Sequence, residues 1–151
     1  MDYASLVGDW SGTCGFRLLP SEGFAEAPAT ARLETAAADH TLLIRYTWRH
    51  PEDGPADGVL LAGSPDDSGE VVVAWTDSWG QSPNPMILRG EQDGGTLSVH
   101  GSYHDEWGWE IDIAGDQSSL TITMRNVVPA GGSDGLAAGR YESQIARFTR
   151  R

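Results

Sequence analysis

Alternation of apolar and polar residues is the dominant pattern along this chain. In the stretch Gly8–Phe16, Trp10, Gly12 and Cys14 fall on one face of an extended segment, and polar residues separate them. A spacing of two predicts a half-buried β-strand. Glycine inside a strand is typical of a sharp bend or of close contact with another backbone. We therefore expect a small, strongly curved sheet, with Trp10 filling one end of the space that it encloses.

The rest of the chain repeats this pattern in short extended runs separated by turn sequences. The predicted strands are residues 8–16, 30–35, 41–48, 59–62, 70–78, 86–89, 96–103, 107–114, 120–128 and 140–149. Consecutive strands joined by turns form a meander, and about ten of them can close around one small ligand. The pattern predicts an all-β fold: a single antiparallel up-and-down β-barrel of about ten strands, with residues 1–151 forming one domain.

Residues 18–27 interrupt the alternation with a loop that contains both prolines and apolar side chains. Such a segment does not pack inside a sheet. It either lies across one end of the barrel as a lid or wraps around the outside.

Charge and cysteine content narrow the possible partners. The chain has 10 basic and 22 acidic residues, a formal net charge of −12, which repels phosphate backbones and anionic membranes. We therefore expect neither a nucleic-acid nor a membrane partner. The single cysteine, Cys14, excludes an intramolecular disulfide, and the opening residues lack the features of a signal peptide. These features favour a cytoplasmic protein.

Several segments resemble a known superfamily of barrels. Gly8-Asp9-Trp10 in the first strand, the meander and an arginine-bearing last strand resemble the calycins, which include lipocalins and fatty-acid-binding proteins. Closer similarity is to a bacterial family of uncharacterised lipocalin-like barrels, carried by Leu-Val-Gly-Asp-Trp-Ser-Gly at 6–12, Trp-Thr-Asp-Ser at 75–78, Arg-Gly at 89–90 and Asp-Gly-Gly-Thr-Leu at 93–97.

The resemblance implies a calycin-like barrel in which Trp10 is structural and lies at the closed base. It also implies an arginine from the last strand against the indole ring, with Arg147 the first candidate and Arg150 the second. Haem-binding members resembling nitrobindin use a last-strand histidine, which residues 139–151 lack. We therefore expect no cofactor.

Six tryptophans and four tyrosines are the most distinctive chemical feature. The residues predicted to line an interior cavity are Tyr46, Trp48, Trp75, Asp77, Tyr103, Trp107, Trp109, Met124 and Arg147. Large aromatic residues either line a pocket for an apolar ligand or simply fill the core. Asp77 is either a polar contact for a ligand or a carboxylate that stabilises a turn. Arg147 is either the partner of Trp10 or an anchor for an anion.

Metal and catalytic chemistry find little support in the sequence. His100 and His104 would lie roughly 13 Å apart on an extended strand, too far for one ion, so we expect no metal. Cys14 is predicted to be a buried, unreactive thiol. A carboxylate or histidine among Asp77, Glu110 and His100 would suit an isomerase, cyclase or hydratase.

We expect the barrel to bind a small, largely apolar or aromatic molecule in its interior. The alternatives are an enzyme of the type just described and a barrel with a filled core that binds another protein. The sequence does not indicate the oligomeric state.

Overall fold

One short helix and ten antiparallel strands form the protein in the computed structural model, which describes the backbone of residues 1–151 and every side chain except that of Asp105. The elements are α1 (Tyr3–Leu6), β1 (Gly8–Phe16), β2 (Ala25–Ala36), β3 (Thr41–His50), β4 (Gly54–Gly63), β5 (Glu70–Asp77), β6 (Gln81–Asp93), β7 (Thr96–Ser102), β8 (Gly108–Gly115), β9 (Ser119–Val128) and β10 (Gly139–Arg150). A 3-10 turn, His104–Glu106, lies between β7 and β8. Among the described residues, no helix is long and apolar enough to cross a membrane.

The strands close into one barrel. Each strand pairs with the next along the chain, and β10 returns to pair with β1, so that Trp10 lies opposite Arg150. All the pairings are antiparallel, as a meander requires. The predicted all-β, up-and-down barrel of about ten strands is therefore confirmed.

Three strands are considerably longer than their sequences suggest. β2 begins at Ala25 rather than at residue 30, and β4 begins at Gly54 rather than at residue 59. β6 begins at Gln81 and runs through Pro83 and Pro85, where a loop was predicted. The register pairs Gln81 and Met86 with β5 but gives residues 82–85 no partner in β5 or β7. Proline is tolerated there because no ladder hydrogen bond is lost.

Trp10 lies at the base of the barrel and is completely buried. Its indole N–H donates to the Leu6 carbonyl at 3.0 Å, which ties the helix α1 to the strand that follows it. The guanidinium of Arg150 lies 4.7 Å from the centre of the indole ring and donates to the carbonyls of Val7 and Gln117. Cation–π contact and charged hydrogen bonds thus close this end.

Arg147 does not take this position. It lies exposed on the outer face, because its neighbours Ala146 and Phe148 point into the core and side chains alternate along β10. The preference for Arg147 over Arg150 as the partner of Trp10 is therefore wrong, and so is an anchoring role for Arg147 inside the barrel.

Gly12 explains how β1 and β10 approach each other. A Cβ atom at this position would lie 1.8 Å from the carbonyl oxygen of Arg147, so no other residue fits without moving the backbone. This is the close contact that glycine in the first strand predicts.

Apolar side chains fill the barrel above the base. The completely buried residues of the strands include Leu33, Leu42, Ile44, Leu60, Leu88, Leu97, Ile111 and Ile113. Most of the enclosed space is therefore packed with apolar side chains.

We expect Arg150→Gln to lower the free energy of unfolding by about 1–2 kcal/mol, because it removes the cation–π contact and the hydrogen bonds that hold the base. The matched control Arg147→Gln should change it by less than about 0.5 kcal/mol, since that side chain lies on the outer face and Arg150, not Arg147, covers the Trp10 ring. Urea denaturation followed by circular dichroism measures both. Equal effects of the two substitutions would contradict this assignment.

Candidate functional site

A cavity of about 170 Å³ lies at the open end of the barrel, opposite Trp10. Its apolar wall consists of Phe16, Leu18, Trp48, Trp75, Trp79, Met86, Tyr103 and Trp109. Its polar wall includes Arg17, Asp77, Gln81, Asn126, Ser143 and Gln144. Leu18 belongs to the loop between β1 and β2, so this loop lies at the mouth of the cavity.

Two indole rings stack on each other in the wall of the cavity. The rings of Trp75 and Trp109 stack with their centres 5.2 Å apart and their planes 7° from parallel. Met86 pairs with Trp75 in the register between β5 and β6 and contributes a flexible thioether beside them. Such a wall favours contact with a flat apolar molecule.

Four rings pack together at the mouth. Phe16, Trp48, His50 and Trp79 all contact one another, and the closest pair is His50 stacked on Trp79 at 4.5 Å and 18°. The Trp79 indole N–H donates to the carboxylate of Asp53 at 2.7 Å. Trp79 nevertheless remains 40% exposed, so the cavity meets solvent beside an aromatic ring.

The Asp77 carboxylate holds this end of the barrel together. It is 3% exposed and accepts four hydrogen bonds, from the Tyr46 hydroxyl, the Trp48 indole and the backbone N–H groups of Trp79 and Gly80. These distances run from 2.8 to 3.0 Å. A carboxylate offers about four acceptor positions, so this one has none left for a ligand or for a substrate proton. Of the two roles considered for Asp77, the geometry fits the carboxylate that stabilises a turn.

Tyr46 reaches Asp77 across a glycine. Tyr46, Gly58 and Asp77 lie side by side on β3, β4 and β5, and a Cβ on Gly58 would lie 2.2 Å from the phenol. The Trp75 indole donates to the Tyr46 hydroxyl at 2.9 Å. Burial, and then the neighbouring Asp77 carboxylate, raise the pKa of Tyr46 well above its usual range. The hydroxyl therefore stays protonated and remains a donor to Asp77.

The structure brings together some of the residues that were predicted to line the cavity. Trp48, Trp75, Asp77, Tyr103 and Trp109 lie in the cavity wall. Tyr46 lies behind the wall against Asp77, and Met124 is 1% exposed within the hydrophobic core.

Trp107 and Arg147 do not lie in the wall. Trp107 precedes β8 and follows the 3-10 turn, so the alternation that places Trp109 in the wall does not extend to it. Its ring instead lies 6.3 Å from that of Tyr103. Arg147 is on the outer face, as described above.

The two other acid–base candidates also lie outside the cavity. His100 is exposed, and Glu110 forms an ion pair with Arg140 at 3.4 Å on the outer face of the barrel. Among the side chains that the structure describes, no group of three or more potential ligands is arranged to hold a metal ion.

The other residues of the cavity wall were not predicted from the sequence: Phe16, Arg17, Leu18, Trp79, Gly80, Gln81, Met86, Asn126, Ser143 and Gln144. Ser143 and Gln144 are adjacent, yet both are buried, because the register between β9 and β10 shifts between Glu142 and Gln144. Such a bulge redirects side chains. Two consecutive polar residues in an otherwise alternating strand were the available signal.

Cys14 is a poor nucleophile. It is 1% exposed, and burial raises the pKa of its thiol to about 12, while hydrogen bonding with Gln144 acts in the opposite direction. Thiolate is the reactive form, so near neutral pH this residue behaves as a small apolar group.

The closed ten-stranded antiparallel barrel is consistent with a calycin-like fold. No protein-family model matches the chain, and no curated protein matches its sequence.

We expect Asp77→Asn to lower the free energy of unfolding by about 2–4 kcal/mol, because the amide NH₂ would face two donors that now meet a carboxylate oxygen. Asp57→Asn is the matched control, since Asp57 is exposed on the adjacent strand β4. Chemical denaturation of both variants measures the difference. A variant at residue 77 as stable as the wild type would show that the four hydrogen bonds do not hold the open end.

A thiol reagent such as dithionitrobenzoate near pH 8 should modify Cys14 only as fast as the protein opens, because the buried thiol is protonated at a pH below its raised pKa. The same reagent in denaturant supplies the rate for the unprotected thiol. Rapid modification of the native protein would contradict the burial and the raised pKa together.

Proposed function

We propose that this protein is a calycin-like binding protein that holds a small, flat, largely apolar molecule in the cavity at its open end. The parallel indoles of Trp75 and Trp109 in the cavity wall are the observation that carries the proposal. Stacking on such rings contributes about 0.5–1.5 kcal/mol beyond the burial of apolar area.

The size of the cavity limits the ligand. A volume of about 170 Å³ is well below the roughly 300–1,000 Å³ of pockets that take drug-sized molecules. An apolar cavity of about 150 Å³ accommodates benzene. The proposed ligand therefore has either a single ring or two fused rings. A long acyl chain would not fit within this space.

Electrostatics favour a neutral ligand. Arg17 lies in the wall, but its guanidinium already donates to the Glu142 and Pro20 carbonyls at 2.7 and 3.1 Å and pairs with the Glu142 carboxylate at 3.6 Å. The chain carries a net charge of −12, and Asp77 adds a buried negative charge beside the cavity. An anion would therefore meet repulsion without a free cation among the described lining residues.

Binding would occur by transfer of the ligand from water to the aromatic wall. Burial contributes about 25 cal/mol per Å² of apolar surface, and the exposed ring of Trp79 lies at the entrance. We do not propose catalysis, because His100 and Glu110 lie outside and every acceptor position of Asp77 is occupied.

Trp109→Leu should weaken the binding of quinoline, measured by calorimetry at a pH where quinoline is neutral, by roughly tenfold, because half of the stacked wall is lost. Trp107→Leu is the matched control: it removes an indole only two residues away that is not in the wall, so its dissociation constant should stay within about twofold of the wild type. Failure of the wild type to bind quinoline or related two-ring compounds would count against the proposed function. So would equal losses in the two variants.

A further inference from the structure

A polar corner of the cavity consists of Asn126, Ser143 and Gln144, and it lies beside apolar wall residues, since Asn126 pairs with Trp109 and Gln144 with Phe16. The bulge between Glu142 and Gln144 turns two successive side chains of β10 inward, so that Ser143 and Gln144 are 3% and 5% exposed. Both also line the cavity. Bulges next to binding sites commonly redirect side chains in this way.

Most of this corner is already hydrogen-bonded within the protein. The Ser143 hydroxyl donates to the Met124 carbonyl at 3.4 Å, and the Asn126 amide accepts from Tyr103 and donates to Tyr141. These bonds use the one proton of Ser143 and two of the four hydrogen-bonding positions of the Asn126 amide, so both side chains are partly satisfied.

Gln144 keeps more unused hydrogen-bonding capacity than either of them. Its one hydrogen-bonding partner among the described residues is the Cys14 thiol. A primary amide carries two N–H donors and an oxygen with two acceptor positions, so at least one donor and one acceptor remain unused. A ligand that pairs with such groups is favoured over a ligand of the same shape that leaves them without partners.

A second unused donor lies in the same wall. The indole nitrogen of Trp109 is buried and has no hydrogen-bond partner among the described residues. The wall therefore offers a ligand the unused N–H groups of the indole and the Gln144 amide, together with the unused acceptor position of the Gln144 oxygen.

We infer that the cavity selects a neutral two-ring compound with a lactam-type edge, in which an N–H donor lies beside a C=O acceptor. This inference rests on the proposed function and adds the polar half of the ligand. A lactam edge is the complement of a primary amide: its carbonyl accepts from the Gln144 NH₂ while its N–H donates to the Gln144 oxygen. The fused ring then lies along the indoles of Trp75 and Trp109.

The test compares quinoline with 2-quinolinone, two compounds of nearly equal size that differ in the lactam edge. In the wild type, 2-quinolinone should bind about tenfold more tightly than quinoline. In Gln144→Leu, the ratio of the two dissociation constants should fall to about one, because an apolar side chain cannot distinguish the edges. Gln117→Leu, in the exposed turn between β8 and β9, is the control and should keep the wild-type ratio.

A second variant, Gln144→Glu, tests for a gain in the binding of one compound as well as for a loss in the binding of another. In Gln144→Glu, a carboxylate replaces the amide, so 2-quinolinone should bind more weakly. 2-Aminoquinoline should bind more tightly at a pH where its ring nitrogen is protonated, because the ring N–H and the amino group then offer two donors side by side. Circular dichroism shows whether each variant is folded, and the Glu variant keeps the test decisive if the Leu variant is not.

The outcomes separate this inference from the function on which it rests. If quinoline binds but 2-quinolinone has no advantage, or if the advantage persists without the Gln144 amide, the selection of a lactam edge is wrong and the binding function stands. If none of these compounds binds the wild type, the proposed function fails first. A ratio that collapses only in the Gln144 variants, with preference passing to 2-aminoquinoline in the Glu variant, supports the inference.

Discussion

The Asp77 carboxylate is the interaction on which the open end of the barrel depends. A buried negative charge is tolerated only when hydrogen bonds replace its water, and here the phenol of Tyr46, the indole of Trp48 and two backbone amides do so. Because Trp75 in turn donates to Tyr46, one carboxylate fixes the orientation of three aromatic rings. A rigid aromatic wall binds a flat ligand with little loss of side-chain entropy.

The two ends of the barrel differ in structure: the base is packed, and the opposite end contains the cavity. At the base, Arg150 covers Trp10, and apolar side chains pack the interior above it, so this end stabilises the fold. At the other end, two register shifts border the cavity, one between Trp75 and Asp77 and the other between Glu142 and Gln144. Irregular strands next to a cavity, over a regular and packed base, are the expected arrangement for a site carried by a stable scaffold.

Much of the fold could be predicted because strand alternation and turn residues are local signals. All ten strands were predicted in the correct order. The loop predicted before β6 is instead part of that strand, because its prolines lie at residues that have no partner in β5. The site was only partly predictable. The direction of a side chain depends on the register, so consecutive polar residues alone could not show that a bulge in β10 buries Gln144. Strict alternation also wrongly extended the predicted wall from Trp109 to Trp107. The hydrogen bonds that occupy the Asp77 carboxylate depend on the alignment of β3, β4 and β5, which exists only in the folded barrel.

The most direct test of ligand binding at the open end is a titration followed by the indole N–H signals of the six tryptophans in ¹H–¹⁵N NMR spectra. With 2-quinolinone as the probe, the signals of Trp75 and Trp109 should move together and saturate at one equivalent per binding site. The signal of Trp10, buried at the base, should not move. Uniform small shifts of all the indoles, or shifts confined to Trp107, would contradict a ligand site at this end of the barrel.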